Sequence, residues 1–299
     1  MLFAWSSASY MVPLPPGHRF PMAKYRLLKE RVIGDGIIPA SRVLEPDRAP
    51  AADVRLVHTE RYVQQIDAGR LDAADERRLG FPWSLALVER SYRSVGGTIA
   101  ALHAALEHGI AINLSGGTHH AFADHGEGFC VFNDVAIAIR TLQREGRLAR
   151  AVVIDLDVHQ GNGTNAIFAG DERVFTFSMH GAKNYPFHRV AGCVDIELPD
   201  GTEDDAYLEI LAKALPNALR SAGADSAVYL AGADILAGDR LGRLSLTQTG
   251  MARRDALVLD ACREIGLPVA IVLGGGYGAR LEDTVDAHVQ TVRLAAAHA

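Results

Sequence analysis

The segment 151–163, AVVIDLDVHQGNG, ends an apolar run in Asp155, Asp157 and His159 and then breaks into a glycine-punctuated turn. Ala151 to Ile154 read as a buried strand, and alternate residues of an extended chain share a face, so the three polar side chains are expected to point the same way. Two carboxylates and an imidazole converging at a strand end form a half-site for a divalent metal. Asp234 offers a further carboxylate, so that Asp157, His159 and Asp234 would supply two oxygens and one nitrogen. Positions would stay open for water and substrate, as a catalytic zinc site requires. A metal of this charge lowers the pKa of bound water towards about 7. The adjacent His119 and His120 then suit a general base and acid, and Tyr277, raised on the turn Gly274-Gly275-Gly276, could donate to an oxyanion. The constellation describes metal-assisted hydrolysis of an amide or ester.

The elements that must position these groups follow a rhythm. Strands are expected in IAINLSGG (110–117), in the 151–154 run, in VFTFSMHG (174–181), in SAVYLAGAD (226–234) and in VAIVLGGGYG (269–278). A helix is expected over FNDVAIAIRTLQREG (132–146), capped by Asn133, with others over 58–69 behind Thr59 and from Arg90 to His108, ending at Gly109. Lys24 to Arg31 read as an amphipathic helix whose charges form a solvated face; the rest of residues 1–50 reads as irregular. Strands alternating with helices imply a parallel sheet, whose ligands bind outside the carboxyl ends of its strands. Five strand ends carry polar side chains to that edge: His119 and His120, Asp155 to His159, Ser178, Asp234, and Tyr277.

Composition narrows the function classes. With 299 residues, 48% of them hydrophobic, the chain can bury a large core, and without repeats or linkers it reads as one domain, 1–299. A net charge of −6 gives no basic field for nucleic acid. The three cysteines, Cys130, Cys193 and Cys262, are widely spaced and suit a reducing, cytoplasmic setting. The apolar opening MLFAWSSASYM lacks a basic n-region, so no signal peptide is expected, and no apolar run reaches the roughly 18 residues of a membrane span.

GGTHHA (116–121), GEGFC (126–130), DLDVHQGNG (155–163), SMH (178–180), GADILAGDRLG (232–242) and GGGY (274–277) together resemble the zinc-dependent histone deacetylase superfamily. HQGNG and GEGFC resemble its class IV branch and bacterial relatives. The resemblance implies a single-domain arginase/deacetylase fold of the α/β class, a parallel sheet of about eight strands flanked by helices. It puts Asp157, His159 and Asp234 at the zinc-ligand positions and His119 and His120 at the tandem histidines that activate water and protonate the leaving amine. Asp155 takes the position that pairs with the first histidine. Asp155, Ser178 and the carbonyls of Asp157, His159 and Met179 match a structural monovalent cation site, usually potassium. Phe129 matches one wall of an acyl-lysine tunnel, with the Gly128 carbonyl offered to the substrate amide. Tyr185 matches the other wall, although its local spacing differs, and Tyr277 matches the transition-state tyrosine. The implied substrate is an acyl-lysine protein or peptide, or a small acylated amine.

The sequence departs from class I members at Asn162, often aspartate there. An amide can orient His120 but cannot stabilise its imidazolium by charge, which predicts a lower His120 pKa than an aspartate would give. Rival readings remain open. An arginase-like binuclear hydrolase needs a carboxylate where Gly161 stands, and a non-catalytic acyl-lysine binding module would have lost a ligand or the tyrosine. An acetylpolyamine deacetylase would be favoured by an acidic rim, for which Glu60, Glu203, Asp204 and Asp205 are candidates. Acyl chain length and oligomeric state are not written in these motifs.

Overall fold

The computed structural model describes residues 1–299. Eight strands form one sheet: β1 (Ala4–Trp5), β2 (Val43–Leu44), β3 (Ile110–Asn113), β4 (Ala151–Asp155), β5 (Val174–Gly181), β6 (Val194–Leu198), β7 (Ser226–Leu230) and β8 (Val269–Val272). They run β2-β1-β3-β8-β7-β4-β5-β6, with every pairing parallel. The central strands are buried on both faces, which is why they appear in sequence as unbroken apolar runs.

Ten helices cover the sheet: α1 (Lys24–Gly34), α2 (Ala51–Val54), α3 (Glu60–Ala68), α4 (Ala73–Leu79), α5 (Leu85–His108), α6 (Asp134–Arg144), α7 (Asn162–Phe168), α8 (Asp204–Ala222), α9 (Gln248–Glu264) and α10 (Leu281–His298). Residues of α1, α8, α9 and α10 share one apolar core with the sheet, while α5 and α6 build a second core on its opposite side. The expected caps form: Thr59 accepts from Tyr62 N, Asn133 accepts from Ala136 N, and α5 ends at Gly109. No helix is long and apolar enough to cross a membrane.

Three strands were not expected from the sequence. β1 and β2 have two residues each, too few to show a period, and lie where the chain reads as irregular. β6 is a partly exposed edge strand whose VDIEL lacks the apolar run of its neighbours. The extended-chain reading of Asp155, Asp157 and His159 also needs correcting, because β4 ends at Asp155. Beyond it the chain bends, with Val158 N donating to Asp234 and His159 N to Asp157. Asp155 therefore turns towards His119, and only Asp157 and His159 face Asp234.

Candidate active site

Asp157 and His159 leave the end of β4, and Asp234 follows β7, its neighbour in the sheet. Their ligand atoms lie within 4.8 Å of one another, all buried. His159 Nδ1 stands 2.9 Å from Asp157 Oδ1 and 3.3 Å from Asp234 Oδ2. Two carboxylates packed together out of water are costly without a positive guest. Burial and the charge of Asp234 push Asp157 up, whereas His159 holds Asp234 down against its burial. Burial would lower His159, yet its hydrogen bond to Asp157 and the Asp234 carboxylate beside it raise it to about 10. Asp234 Oδ2 is buried without a well-formed hydrogen bond. An acidic donor set of two oxygens and one nitrogen, with an orphaned oxygen aimed into it, fits a divalent cation.

The tandem histidines follow β3 on a loop fastened by the start of α6. The Asp134 carboxylate accepts from Gly117 N at 3.0 Å and Thr118 N at 2.7 Å. Asn133, besides capping α6, donates to Ala121 O at 3.2 Å. His119 Nδ1 meets Asp155 Oδ2 at 2.6 Å, while its Nε2 lies 3.9 Å from Asp157 Oδ1. Burial opposes its charge, but Asp155 outweighs that and raises His119 to about 9. His120 Nδ1 lies 2.8 Å from Asn162 Oδ1. A carbonyl oxygen only accepts, so Nδ1 carries the hydrogen and Nε2 keeps its lone pair. Burial first, then the charges of His119 and His159, push His120 well below the ordinary histidine value. The Asn162 hydrogen bond itself works the other way, supporting the charged ring against burial, so the lowering comes from burial and the two neighbouring histidines.

His120 and His159 open into a cavity of about 580 Å³ that Gly128, Phe129, Tyr185 and Tyr277 also line. Glu127 to Cys130 form a tight turn, closed by Cys130 N donating to Glu127 O at 2.9 Å, with Gly128 and Phe129 both at positive φ. For Phe129, at φ 66°, this backbone is strained. Its amide donates to Leu79 O at 2.8 Å, and its ring packs 5.4 Å from Phe20 and 5.3 Å from Phe81, which together fix it in the wall. Tyr185 stands edge-on to His120 at 5.0 Å. The Tyr277 ring lies 5.9 Å from that of Phe129. Ser178 and Met179 are buried on β5, with Ser178 in register beside Asp155 and sharing a 2.8 Å hydrogen bond with His180 Nδ1.

The histone deacetylase domain matches residues 18–292. The chain belongs to the histone deacetylase family. It is 47% identical to an uncharacterized protein of Picosynechococcus sp. over 279 residues, 93% of each chain. It is 35% identical to histone deacetylase 2 of Arabidopsis thaliana, over 87% of this chain and 70% of that one. The crystal structure of a histone deacetylase homolog from Aquifex aeolicus superposes with a TM-score of 0.86 at 22% identity, covering 99% of this chain and 84% of that one. Members of the family are metal-dependent amidohydrolases, and this chain is such an enzyme.

Around this deacetylase site stand groups whose roles a linear reading misses. Lys24 was expected on a solvated face but is buried; its Nζ donates to Gly275 O and lies 5.5 Å from the centre of the Tyr277 ring. It braces the turn that carries Tyr277. Lys24→Met is expected to leave that carbonyl unpaired and lower stability by about 1–3 kcal/mol. The check is thermal unfolding beside kcat; an unchanged Tm would remove the bracing role. Asp239 accepts from Tyr277 N at 2.5 Å and from Gly242 N at 2.9 Å, tying two family motifs together. Buried Arg254 donates to Gly232 O at 2.6 Å, two residues before Asp234.

The arginase-like alternative fails on space. A Cβ at Gly161 would meet Asp155 Oδ2 at 2.5 Å, so no carboxylate fits there for a second metal. The acidic rim also fails. Glu60 pairs with Arg55, Glu203 precedes α8, Asp204 accepts from Thr247 and Asp205 pairs with Arg253, and none of them lines the cavity. Burial pushes the Cys130 thiol up, which suits packing rather than reactivity.

Proposed function

We propose that the chain is a zinc-dependent lysine deacylase, resembling class IV members, that removes acetyl or longer acyl groups from the lysine side chains of proteins or peptides. The observation that carries this reading is the convergence of the Asp157-His159-Asp234 cage, two oppositely tuned histidines and Tyr277 on one aromatic-walled cavity. Asp157, His159 and Asp234 would hold the zinc, which when bound supplies Lewis acidity towards the substrate carbonyl and the attacking water.

The remaining work falls to the chain's own side chains. His120, neutral and with Nε2 free, accepts the proton of the attacking water. His119, kept protonated by Asp155, delivers a proton to the leaving amine. A pair of titratable groups driven apart in this way divides base from acid. Tyr277 donates to the oxygen that becomes negative, and Phe129 and Tyr185 exclude water from the acyl-lysine stem while the Gly128 carbonyl accepts from the substrate amide. Asp155 and Ser178, neighbours across β4 and β5, would give potassium its side-chain oxygens, with the carbonyls of Asp157, His159 and Met179 completing the set.

The cavity mouth supports a peptide over an acetylpolyamine. Arg19, Arg77 and Arg78 line it, all exposed, and of the three Arg78 alone forms an ion pair, with Asp75 at 2.5 Å. A polyammonium tail would meet like charge there. Acetyl-lysine peptide is therefore expected to exceed a monoacetylated polyamine in kcat/KM. The double reversal Arg19→Glu with Arg77→Glu should move the ratio about tenfold towards the polyamine, a shift of about 1.4 kcal/mol. Faster turnover of the polyamine by the unaltered enzyme would replace this reading with the small-molecule one.

A further inference from the structure

Asn162 is an ambiguous partner for a catalytic histidine. Its amide donates at one end and accepts at the other, and turned over it would present NH2 to His120. Nδ1 would then have to accept, the hydrogen would move to Nε2, and the lone pair facing the cavity would be lost. Something must choose the orientation.

Glu127 makes that choice. Its Oε1 accepts from Asn162 Nδ2 at 2.6 Å, on the side opposite the 2.8 Å contact between Asn162 Oδ1 and His120 Nδ1. A carboxylate accepts only, so it selects the NH2 end of Asn162 and commits the oxygen to His120. Asn162 and His120 are both buried. The Tyr185 hydroxyl lies near enough to this carboxylate that, after burial, Glu127 pushes its pKa up. His125 is the nearest basic group, its Nε2 3.9 Å from Glu127 Oε2, so Oε1 remains committed to Asn162. Glu127 sits at the first corner of the turn that presents Gly128 and Phe129.

We propose that Glu127 is a positioning residue that sets the tautomer of His120 through Asn162. The inference rests on His120 serving as the base in amide hydrolysis.

The test is an exchange of the two side chains. Glu127→Gln lets the second amide donate as well as accept, so Asn162 is free to turn. Asn162→Asp alone sets two carboxylates against each other. The double variant Glu127→Gln, Asn162→Asp rebuilds the pair with its donor reversed, and leaves an acceptor-only aspartate facing His120. Glu127→Gln is expected to lose about tenfold or more in kcat with KM changed by less than about threefold, since a wrong tautomer removes the base without removing the substrate. Asn162→Asp, which still accepts from Nδ1, is expected to lose as much because repulsion from Glu127 pushes its carboxylate out of line with His120. The double variant should return to within about threefold of the original enzyme, far above the product of the two single losses.

A second readout needs no substrate. Long-range 1H–15N spectra of 15N-histidine protein without metal, with His120 assigned through His120→Gln, report which ring nitrogen bears hydrogen. The unaltered protein and the double variant should show His120 protonated at Nδ1, and Glu127→Gln should show a mixture. A His120 signal that is the same in Glu127→Gln as in the unaltered protein overturns the inference, as does a double variant whose kcat is the product of the single effects. An unaltered enzyme that turns over no acyl substrate refutes the functional reading instead, and the spectra then decide the tautomer question alone.

Discussion

Tyr277→Phe is expected to lower kcat by about 10²–10³-fold with little change in KM, because it removes one preorganised donor to the developing oxyanion. The structure makes this substitution clean. The Tyr277 ring is wedged between Phe20, at 6.3 Å, and Phe129, at 5.9 Å, with Lys24 Nζ over its face, and phenylalanine keeps all three contacts. Asp239 and Arg240 grip the backbone of residue 277, not its hydroxyl, so the turn is still anchored. Burial, followed by the charges of Asp234 and Asp157, pushes the phenol pKa well above its ordinary value. The hydroxyl therefore keeps its proton throughout the working range and serves as a donor, never as a base. Steady-state kinetics on an acetyl-lysine peptide, with metal content and Tm matched between the two proteins, provide the check. A loss below about threefold would take Tyr277 out of the transition state, and a loss confined to KM would make it a substrate-binding group.

What could be read from the sequence divides along a physical line. The chemistry at the strand ends was visible because carboxylates and histidines are expensive to bury, so finding Asp157, His159 and Asp234 at the close of apolar runs already implied a compensating cation. β3, β4, β5, β7 and β8 were visible for the complementary reason, as buried strands leave unbroken apolar runs. What escaped is whatever depends on distance through space. Lys24 resembles any amphipathic-helix lysine, and only the folded chain brings its Nζ to a carbonyl 251 residues away. Glu127 lay inside a motif read for its neighbours Gly128 and Phe129, and its partner Asn162 is 35 residues further on. The basic mouth escaped because Arg19 precedes α1 whereas Arg77 and Arg78 end α4, and no local pattern joins those segments.

Zinc affinity should climb with pH by up to about tenfold per unit across neutral pH and level off only near the His159 pKa of about 10. The sign follows from what the empty cage prefers. Between Asp157 and Asp234 the His159 ring is held protonated at Nδ1, and that proton must leave before the nitrogen can bind a metal. Titration calorimetry at pH 8 in two buffers of different ionisation enthalpy should register about one proton released from His159 per zinc. Asp234→Asn removes one of the two carboxylates that raise this histidine, so it should flatten the pH slope while weakening the metal by about 10²-fold or more. Without metal, the His159 contribution to stability runs the other way. Its folded pKa is raised above the unfolded 6.5, so the contribution is fully present below pH 6.5 and is lost as pH rises through about 10. A proton at low pH and a divalent ion at higher pH thus satisfy the same two carboxylates in turn. Gly275 shows how closely the cage is fitted: at φ 59°, an added Cβ would come within 2.2 Å of Asp234 Oδ2, the oxygen left orphaned. Gly275→Ala should therefore abolish tight zinc binding. If affinity stays flat from pH 6 to 9, or the alanine variant binds zinc as before, the cage is not where the metal sits.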